Sequence, residues 1–558
     1  MSANHVLRAR GGIVLLCVCV SAIAVVPFFF MGQPLPGGSR WDVRMPDTHD
    51  MWLDFDQMRD FYRGVASGEI YPRWEEDTNY GFGAPTTCFY PPGFYYLTAL
   101  LYPLLRNWTV VLLGAFLLLM IASGGAAYLL ARRCMSRIAA AVTMIAYALF
   151  PYHAIDQYRR GALSELVAFA CMPLILLFVD RLFTRERKLA AFAGLALSWG
   201  AFLWAHPPSA YQFAMAMCPF LLVLAWLRRN WSGLLWTGGG LTLGLGLSAA
   251  YLYPAAVEEN LIHHEILGQI WPYHATYLFM YAGYSKAYFE FFQLLNVSWC
   301  FYAAAIVAGI VVLSVIRWRG DRSLLVFWTA MGCFASFMML HVSAPIGRRI
   351  PMIEIGVLSW RMLSICTLVA ALLAGAFVQV ALEARGGRRV FAAVLAVGIV
   401  VGGITFTVLG VMAPVNDNPA FQPWPAHTNY VIIPRDAPAH TNELPKLGRA
   451  ALDPPGGTIL IREWKPQHRV IGVTGKGAAR LFVRTFNFPG WTASIDGRPV
   501  PIATDTRTGA ILLDLSAGDH LVTLGFMDTP DRRLGAWVSG VSLALTAAIL
   551  VAGAVIAL

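Results

Sequence analysis

Residues 93–106 read GFYYLTALLYPLLR. The segment is apolar, but a run of about 14 residues is nearer to an interfacial or re-entrant piece than to a span, which needs about 20. Its placement sets the parity of all that follows. If it crosses a bilayer, every later loop inverts; if it lies flat, the basic turns all fall on one side. We take it as flat. From 108 to 412, apolar runs of roughly 18 to 24 residues recur, broken by short basic turns: Arg132, Arg133 and Arg137, then Arg181 to Lys188, Arg228 and Arg229, Arg317 to Arg322, and Arg385 to Arg389. The positive-inside rule puts these turns in the cytoplasm, and the count comes to about 12 spans. The first run, Gly12 to Met31 behind Arg8 and Arg10, reads as an uncleaved signal anchor with its N-terminus inside.

Composition agrees. Of 558 residues, 57% are hydrophobic and 13% charged, about half the charged share of a soluble domain. The net charge of +10 does not point to nucleic acid, because the basic residues sit in the turns between apolar runs. Nine cysteines lie almost wholly in apolar runs, none beyond Cys366 and none as CxxC, which argues against a disulfide framework or a zinc-cysteine site.

Residues 1–412 therefore form a transmembrane domain, with a first outer loop at 33–107. From 413 to 534 the character changes. Prolines crowd 414–455, and then TILIREW, RVIGVTG, ARLFVRTF, WTASIDGRPV, AILLDL and HLVTLGF alternate with period two. Asp496-Gly497 and Gly518-Asp519 supply turns, so an antiparallel, sandwich-like β domain is expected. A last apolar run at 535–558 returns the chain to the inside, leaving the β domain outside and both termini cytoplasmic.

The first outer loop holds DTHDMWLDFDQMRDFYRGV, residues 47–65, with five aspartates in a chain otherwise poor in charge. Met51, Phe55, Met58, Tyr62 and Val65 follow a helical rhythm, which predicts an amphipathic helix over 49–66 lying on the membrane surface. Asp47 and Asp50 stand at its start, and Asp54 is one turn on from Asp50. Acids there cap a helix and oppose its dipole. Their number, the adjacent His49, and the following YPRWEEDTNYGFGAPTTCFYPPGFYY suggest more. Tyr71, Trp74, Tyr80 and Tyr90 among tight glycine turns would make a sugar-stacking wall.

A second set lies in PYHAIDQYRRGALSE, residues 151–165. Asp156, Arg159, Arg160 and Glu165 fall on the same side as Asp50. Glu165 enters an apolar run, where an ionisable group is costly and hence a functional candidate; the alternative is a structural Arg160–Glu165 pair. Arg361 in LSWRML could snorkel or grip a phosphate through its planar fork. His206, His263, His264 and His341 also stand at outer ends, with no ligand spacing to make them a metal site. The chain lacks a GxxxxGK[ST] loop and a GxSxG elbow.

DTHD after the first span, then GEIYPRW, NYGFGAP, FYPPGFYYL, FPYHAIDQYRRGALSE and LSWRML, resemble the GT-C superfamily of integral-membrane glycosyltransferases. More narrowly they are similar to bacterial YfhO-like and 6-pyruvoyl-tetrahydropterin-synthase-related membrane proteins. FNFPGWTASIDGRPVPIATD and LSAGDHLVTLGF resemble the outer β domain of YfhO-like proteins, and no soluble pterin-enzyme domain is visible. The resemblance implies a GT-C-like enzyme of the bacterial inner membrane that moves a sugar from a polyprenyl-phosphate donor to an extracytoplasmic acceptor. It implies Asp50 as base or metal holder, Asp47 second, and Asp156 with Glu165 as the second acidic motif. Arg160, Arg361 and Arg159 would meet the donor phosphate; His49, His206 and His263 would join the tyrosines and Trp74 at the substrate. A divalent metal, Mg or Mn, would fall to Asp47, Asp50 and Asp156, although Asp47 and Asp50 are not a clean DxD. A lipid-linked-saccharide transporter or flippase, or a non-catalytic envelope assembly factor, would be the rival.

Overall fold

The computed structural model describes residues 3–34, 44–46, 48, 50–265, 273–280, 286–315, 321–351, 353, 357–412, 432–439, 444 and 447–557. Among them ten helices are long and apolar enough to cross a membrane. An eleventh is the pair Trp231–Leu247 and Ala249–Val257, if its 73° bend is one broken span. Arg322–Met338 is apolar but has only 17 residues, about 25 Å of helix. Adding it and the bent pair reaches the number expected from the sequence.

Charge marks the two ends of this bundle. The helix Leu163–Thr184 is wholly apolar from Leu166 to Val179, with Glu165 in its first turn and Asp180 near its last. Asp180 draws in Arg133 and Arg228 from two of the basic turns, and Arg228 also meets Asp321. Glu165 gathers the opposite end, described below.

The segment 93–106 forms a 13-residue helix, Gly93–Leu105, which ends where Arg106 takes a left-handed conformation. Asn107 then accepts the Val110 N–H at 3.1 Å and starts Trp108–Ala131, so the chain doubles back at once. The amphipathic helix is Met51–Ala66. Its stripe is buried as patterned, with Phe61 added, but protein rather than lipid covers it. Met51, Phe55, Met58 and Phe61 pack with Val25 and Phe28 of the first span and with Phe94, Tyr95 and Phe116. Phe61 meets Tyr96 edge-on at 4.8 Å, and Tyr62 lies 4.5 Å from Tyr102. The short helix 93–105 is thus the bed on which the acidic helix lies.

The first strands, β1 (Gly32–Pro34) and β2 (Arg44–Pro46), pair antiparallel. The β domain holds β3 (Ala450–Asp453), β4 (Gly457–Trp464), β5 (His468–Gly475), β6 (Ala479–Phe486), β7 (Trp491–Ile495), β8 (Arg498–Val500), β9 (Ala503–Thr504), β10 (Ala510–Leu515) and β11 (Gly518–Phe526). Two antiparallel sheets, ordered β3-β6-β10-β9 and β4-β5-β11-β7-β8, face each other. Ile471, Val473, Leu481, Val483, Val522 and Leu524 fill the space between. Asp496 and Gly497, both at positive φ, make the expected β7–β8 hairpin. Gly518 opens β11, so the second turn falls just before it. The final helix starts at Pro530, inside the stretch assigned to the β domain.

The loop that follows the acidic helix completes this domain. Glu75 and Ala84 pair through two 2.9 Å backbone hydrogen bonds that pinch the loop's neck. Phe82 stacks on Phe486 at 5.2 Å, and its carbonyl accepts the Phe486 N–H at 2.8 Å. Trp74 stands edge-on to Trp491 at 5.3 Å and equally near Phe526. Arg73 reaches Asp528 at 2.9 Å, and Glu258 grips the wholly buried Arg532 at 2.7 Å. Loop and sandwich therefore share one core. Trp74→Ala should cost about 3–5 kcal/mol by opening a cavity there. Limited proteolysis should then cut the β domain faster than the membrane helices, and an unchanged digestion pattern would contradict the shared core.

Candidate active site

The acidic helix, a turn at 156–160 and two span ends build one site. Asp50 holds the N-cap position of Met51–Ala66, yet its side chain makes no capping bond. Thr48 does that work, accepting the Met51 N–H at 3.3 Å. The Asp50 carboxylate is left 48% exposed, with Oδ2 at 3.7 Å from Arg160 Nη2, and its N–H donates to the Arg160 carbonyl at 2.8 Å. Capping therefore does not account for this acid.

Arg160 ends a π-helical turn, Asp156–Arg160, closed by Gly161 at φ +69°. A Cβ at Gly161 would collide with the Thr48 hydroxyl, so glycine lets the turn sit against the start of the acidic helix. The wide turn aims Asp156 and Arg160 inward. Arg160 Nη1 lies 2.8 Å from Asp156 Oδ1 and 2.6 Å from Glu165 Oε2. The same Glu165 oxygen is 3.2 Å from Arg361 Nε, and Tyr152 donates its hydroxyl to Oε1 at 3.2 Å. Glu165 has no exposed surface, and Arg361 is 13% exposed, so Arg361 does more than snorkel. One buried carboxylate thus holds two guanidiniums, and the expected Arg160–Glu165 pair forms.

Asp54, which the sequence reading placed but gave no role, proves a hub. Its Oδ1 accepts Tyr90 and Tyr95 hydroxyls at 3.1 and 3.2 Å, and its Oδ2 accepts the Leu163 N–H at 3.2 Å. Burial, then the charge of Asp50, pushes its carboxyl up to about 7. The i, i+4 spacing from Asp50 was its only sequence signal.

The other expected residues disperse. Asp47 and His49 lie outside the described residues. Asp156 is fully buried, and its Oδ2 has no hydrogen-bond partner. Arg159 turns away to the last turn of Gly387–Met412, donating to the Gly410 carbonyl at 2.8 and 3.0 Å and to Val411 at 3.1 Å, because that helix end needs donors. Trp74 has no free face for a sugar, being packed in the β-domain core. Tyr71 donates to the Thr87 carbonyl at 2.7 Å under Arg73. Tyr80, at φ +58°, packs against the β domain. Of the proposed wall only Tyr90 reaches the acids. His206 caps Pro207–Leu227 by accepting the Ser209 N–H at 3.2 Å. His263 is held between Glu265 and the Ala437 carbonyl, both at 3.1 Å. Among the described residues no three His, Cys, Asp or Glu side chains converge to hold a metal. Arg160 occupies the space between Asp50 and Asp156, so these two do not fit a bridging Mg or Mn.

A pH signature follows. Asp60 is also pushed up to about 7, by burial and then by Asp77. An acid whose folded pKa is raised gives stability that is full below its unfolded value, about 4, and lost as pH rises through about 7. The melting temperature in detergent should therefore fall between pH 4 and 7, and Asp54→Asn should flatten that fall in part, leaving the shares of Asp60 and of the buried Glu75, whose carboxyl burial also pushes up. An unaltered slope would count against a protonated Asp54.

The similarities to solved structures are remote. An archaeal oligosaccharyltransferase, AglB from Archaeoglobus fulgidus in complex with an inhibitory peptide and a dolichol-phosphate, is similar at TM-score 0.45 and 13% identity, over 71% of this chain and 56% of that one. An Archaeoglobus fulgidus oligosaccharyltransferase complex with zinc and sulfate is similar at TM-score 0.38 and 15% identity, over 71% and 53%. The arabinofuranosyltransferase AftD from Mycobacteria is similar at TM-score 0.41 and 15% identity, over 71% of this chain and 27% of that one. The chain spans about half the length of the first two. No curated protein matches it. The family model for the 6-pyruvoyl-tetrahydropterin synthase related domain, a membrane protein, matches residues 87–414, more than half of the chain and including the π turn, Glu165 and Arg361. This multi-pass membrane protein belongs to that family.

Proposed function

We propose that the chain is a membrane glycosyltransferase, moving a sugar from a polyprenyl-phosphate donor to an extracytoplasmic acceptor at the outer face of a bacterial inner membrane. One observation carries the reading: a half-exposed, non-capping carboxylate, Asp50, stands 3.7 Å from one of two guanidiniums tied together by a buried acid. In the reaction an acceptor hydroxyl attacks the anomeric carbon and its proton passes to Asp50. The bond from that carbon to the phosphate oxygen breaks, and the electron pair leaves with the phosphate. Direct displacement of this kind inverts the anomeric centre. Arg160 already faces Asp50, Asp156 and Glu165, so it chiefly holds the site together. The departing phosphate falls to Arg361 first, where fixed charge stabilises what develops in the transition state. Glu165 and Asp156 act here as positioning residues, and Tyr90 and Asp54 shape the acceptor side.

The transporter reading requires ionisable groups near mid-membrane. The charge clusters instead occupy the two ends of Leu163–Thr184, with an apolar stretch between, which favours an enzyme at the bilayer edge.

Asp50→Asn keeps shape and polarity but removes the proton acceptor. Transfer from a polyprenyl-phosphate sugar should fall by about 10²–10⁴ while the melting temperature holds; a near-normal rate in radiolabel transfer would refute the assignment. Orientation is tested separately. A membrane-impermeant maleimide should label Arg507→Cys in intact cells above the wild-type background, and labelling only after lysis would invert the parity.

A further inference from the structure

The β domain carries a second cluster of charge that the Asp50 site does not use. Arg469 lies on the inner face of β5, in the row continued by Ile471 and Val473, where a guanidinium is out of place. It has no exposed surface, and its Nε, Nη1 and Nη2 have no hydrogen-bond partner. Its carbon centre sits 4.2 Å from the Trp464 ring and 4.9 Å from that of Trp491. Stacking of this kind engages the faces of the guanidinium but leaves its in-plane N–H donors unmet.

Two more arginines converge on the same place. Arg449 lies over the same Trp464 ring at 5.2 Å. Arg484 presses on the 73–83 loop, its Nη2 only 2.8 Å from where a Cβ on Gly81 would be, and its Nε lacks a partner. None of the three has a carboxylate within ion-pair distance among the described residues. Asp77 is taken by Arg63. Glu76 is near enough to influence Arg469, yet burial dominates and holds that guanidinium down at about 9. Further buried groups able to donate lack partners in the same two segments: Thr78 Oγ1 on the loop, and Thr485 Oγ1 and Trp491 Nε1 on the sandwich. Buried donors in such number call for an acceptor, and guanidiniums suit a planar or tetrahedral oxyanion best.

We propose that the seam between residues 73–83 and the β domain is a binding site for an oxyanion, a phosphate or carboxylate group, with Arg469 at its floor and Arg449 and Arg484 at its rim. The exposed Arg449 marks the way in, and Glu76, whose charge bears on Arg469 without pairing with it, is the acid that an entering anion must outweigh. The site is built from other residues than Asp50 and does not depend on the glycosyl-transfer reading.

The test is thermal denaturation of the purified full-length protein in non-ionic detergent, titrated with inorganic phosphate or glucuronate against chloride at equal ionic strength. The wild type should show a saturable stabilisation by the oxyanions alone. Arg449→Gln with Arg484→Gln should weaken the apparent affinity at least tenfold. Arg469→Met should abolish the response while melting no lower without ligand; if it does not fold, the rim variant still decides. Phosphate settling instead at Arg361 would stabilise the rim variant as much as the wild type, which separates this site from the transfer chemistry. Nanodiscs with and without phosphatidylglycerol identify the source: response to soluble anions without that lipid supports a soluble ligand, and response to the lipid alone supports a headgroup, each through the same arginines. Stabilisation equal to chloride, or unchanged in the rim variant, would overturn the proposal.

Discussion

One end of the bundle depends on a carboxylate that water cannot reach. Glu165 stands in the first turn of a span, with Arg160 at 2.6 Å and Arg361 at 3.2 Å. Its charge is tolerable there because two guanidiniums and a tyrosine hydroxyl surround it, and it in turn helps to hold theirs, with Asp156 also paired to Arg160. Removing one member of such a buried set typically costs about 3–5 kcal/mol, since the others are left charged and unpaired. The arrangement fastens three stretches distant in sequence: the π turn, the start of Leu163–Thr184, and the turn before Leu363–Glu383. It also gives the site its precision, because a guanidinium held from behind presents its remaining edge in one direction.

Specificity of position then passes outward through the backbone. Arg160 accepts the Asp50 N–H, Gly161 makes room for Thr48, and Asp54 accepts the Leu163 N–H. The acidic helix is thereby indexed to the same span end that carries Glu165. Its apolar stripe, seated on Gly93–Leu105, sets its height. Asp50 is the member of the set left half exposed, so the buried network ends in an accessible acid.

Much of this was legible in the sequence, for identifiable reasons. Long apolar runs and period-two strands report burial directly, so the bundle and the sandwich could be read from residue order, as could the amphipathic face of 51–66. Asp50, Arg160, Glu165 and Arg361 stood out because a charge beside an apolar run is costly enough to need a purpose. What residue order could not convey was direction. Arg159 and Arg160 are neighbours, but the π turn sends one to a helix end and the other to Glu165. Trp74 and Tyr90 share a glycine-rich loop, yet the β domain claims Trp74 as core while Tyr90 reaches Asp54. The cover over the acidic helix was equally hidden, since a stripe that fits lipid also fits protein.

The plugging of the sandwich by the loop after the acidic helix ties these two regions into one device. The loop runs from the acidic helix, through Trp74 and Phe82 in the β-domain core, to Tyr90 and Tyr95 at Asp54. A displacement of the β domain must therefore pull on the segment that holds Asp54, and through it on the helix that begins at Asp50. Conversely, whatever settles in the arginine-lined seam bears on the same loop, between its pinched neck at Glu75–Ala84 and the sandwich. The β domain is thus not a passive appendage: one route of mechanical communication with the membrane helices runs through this loop to the acids of the site.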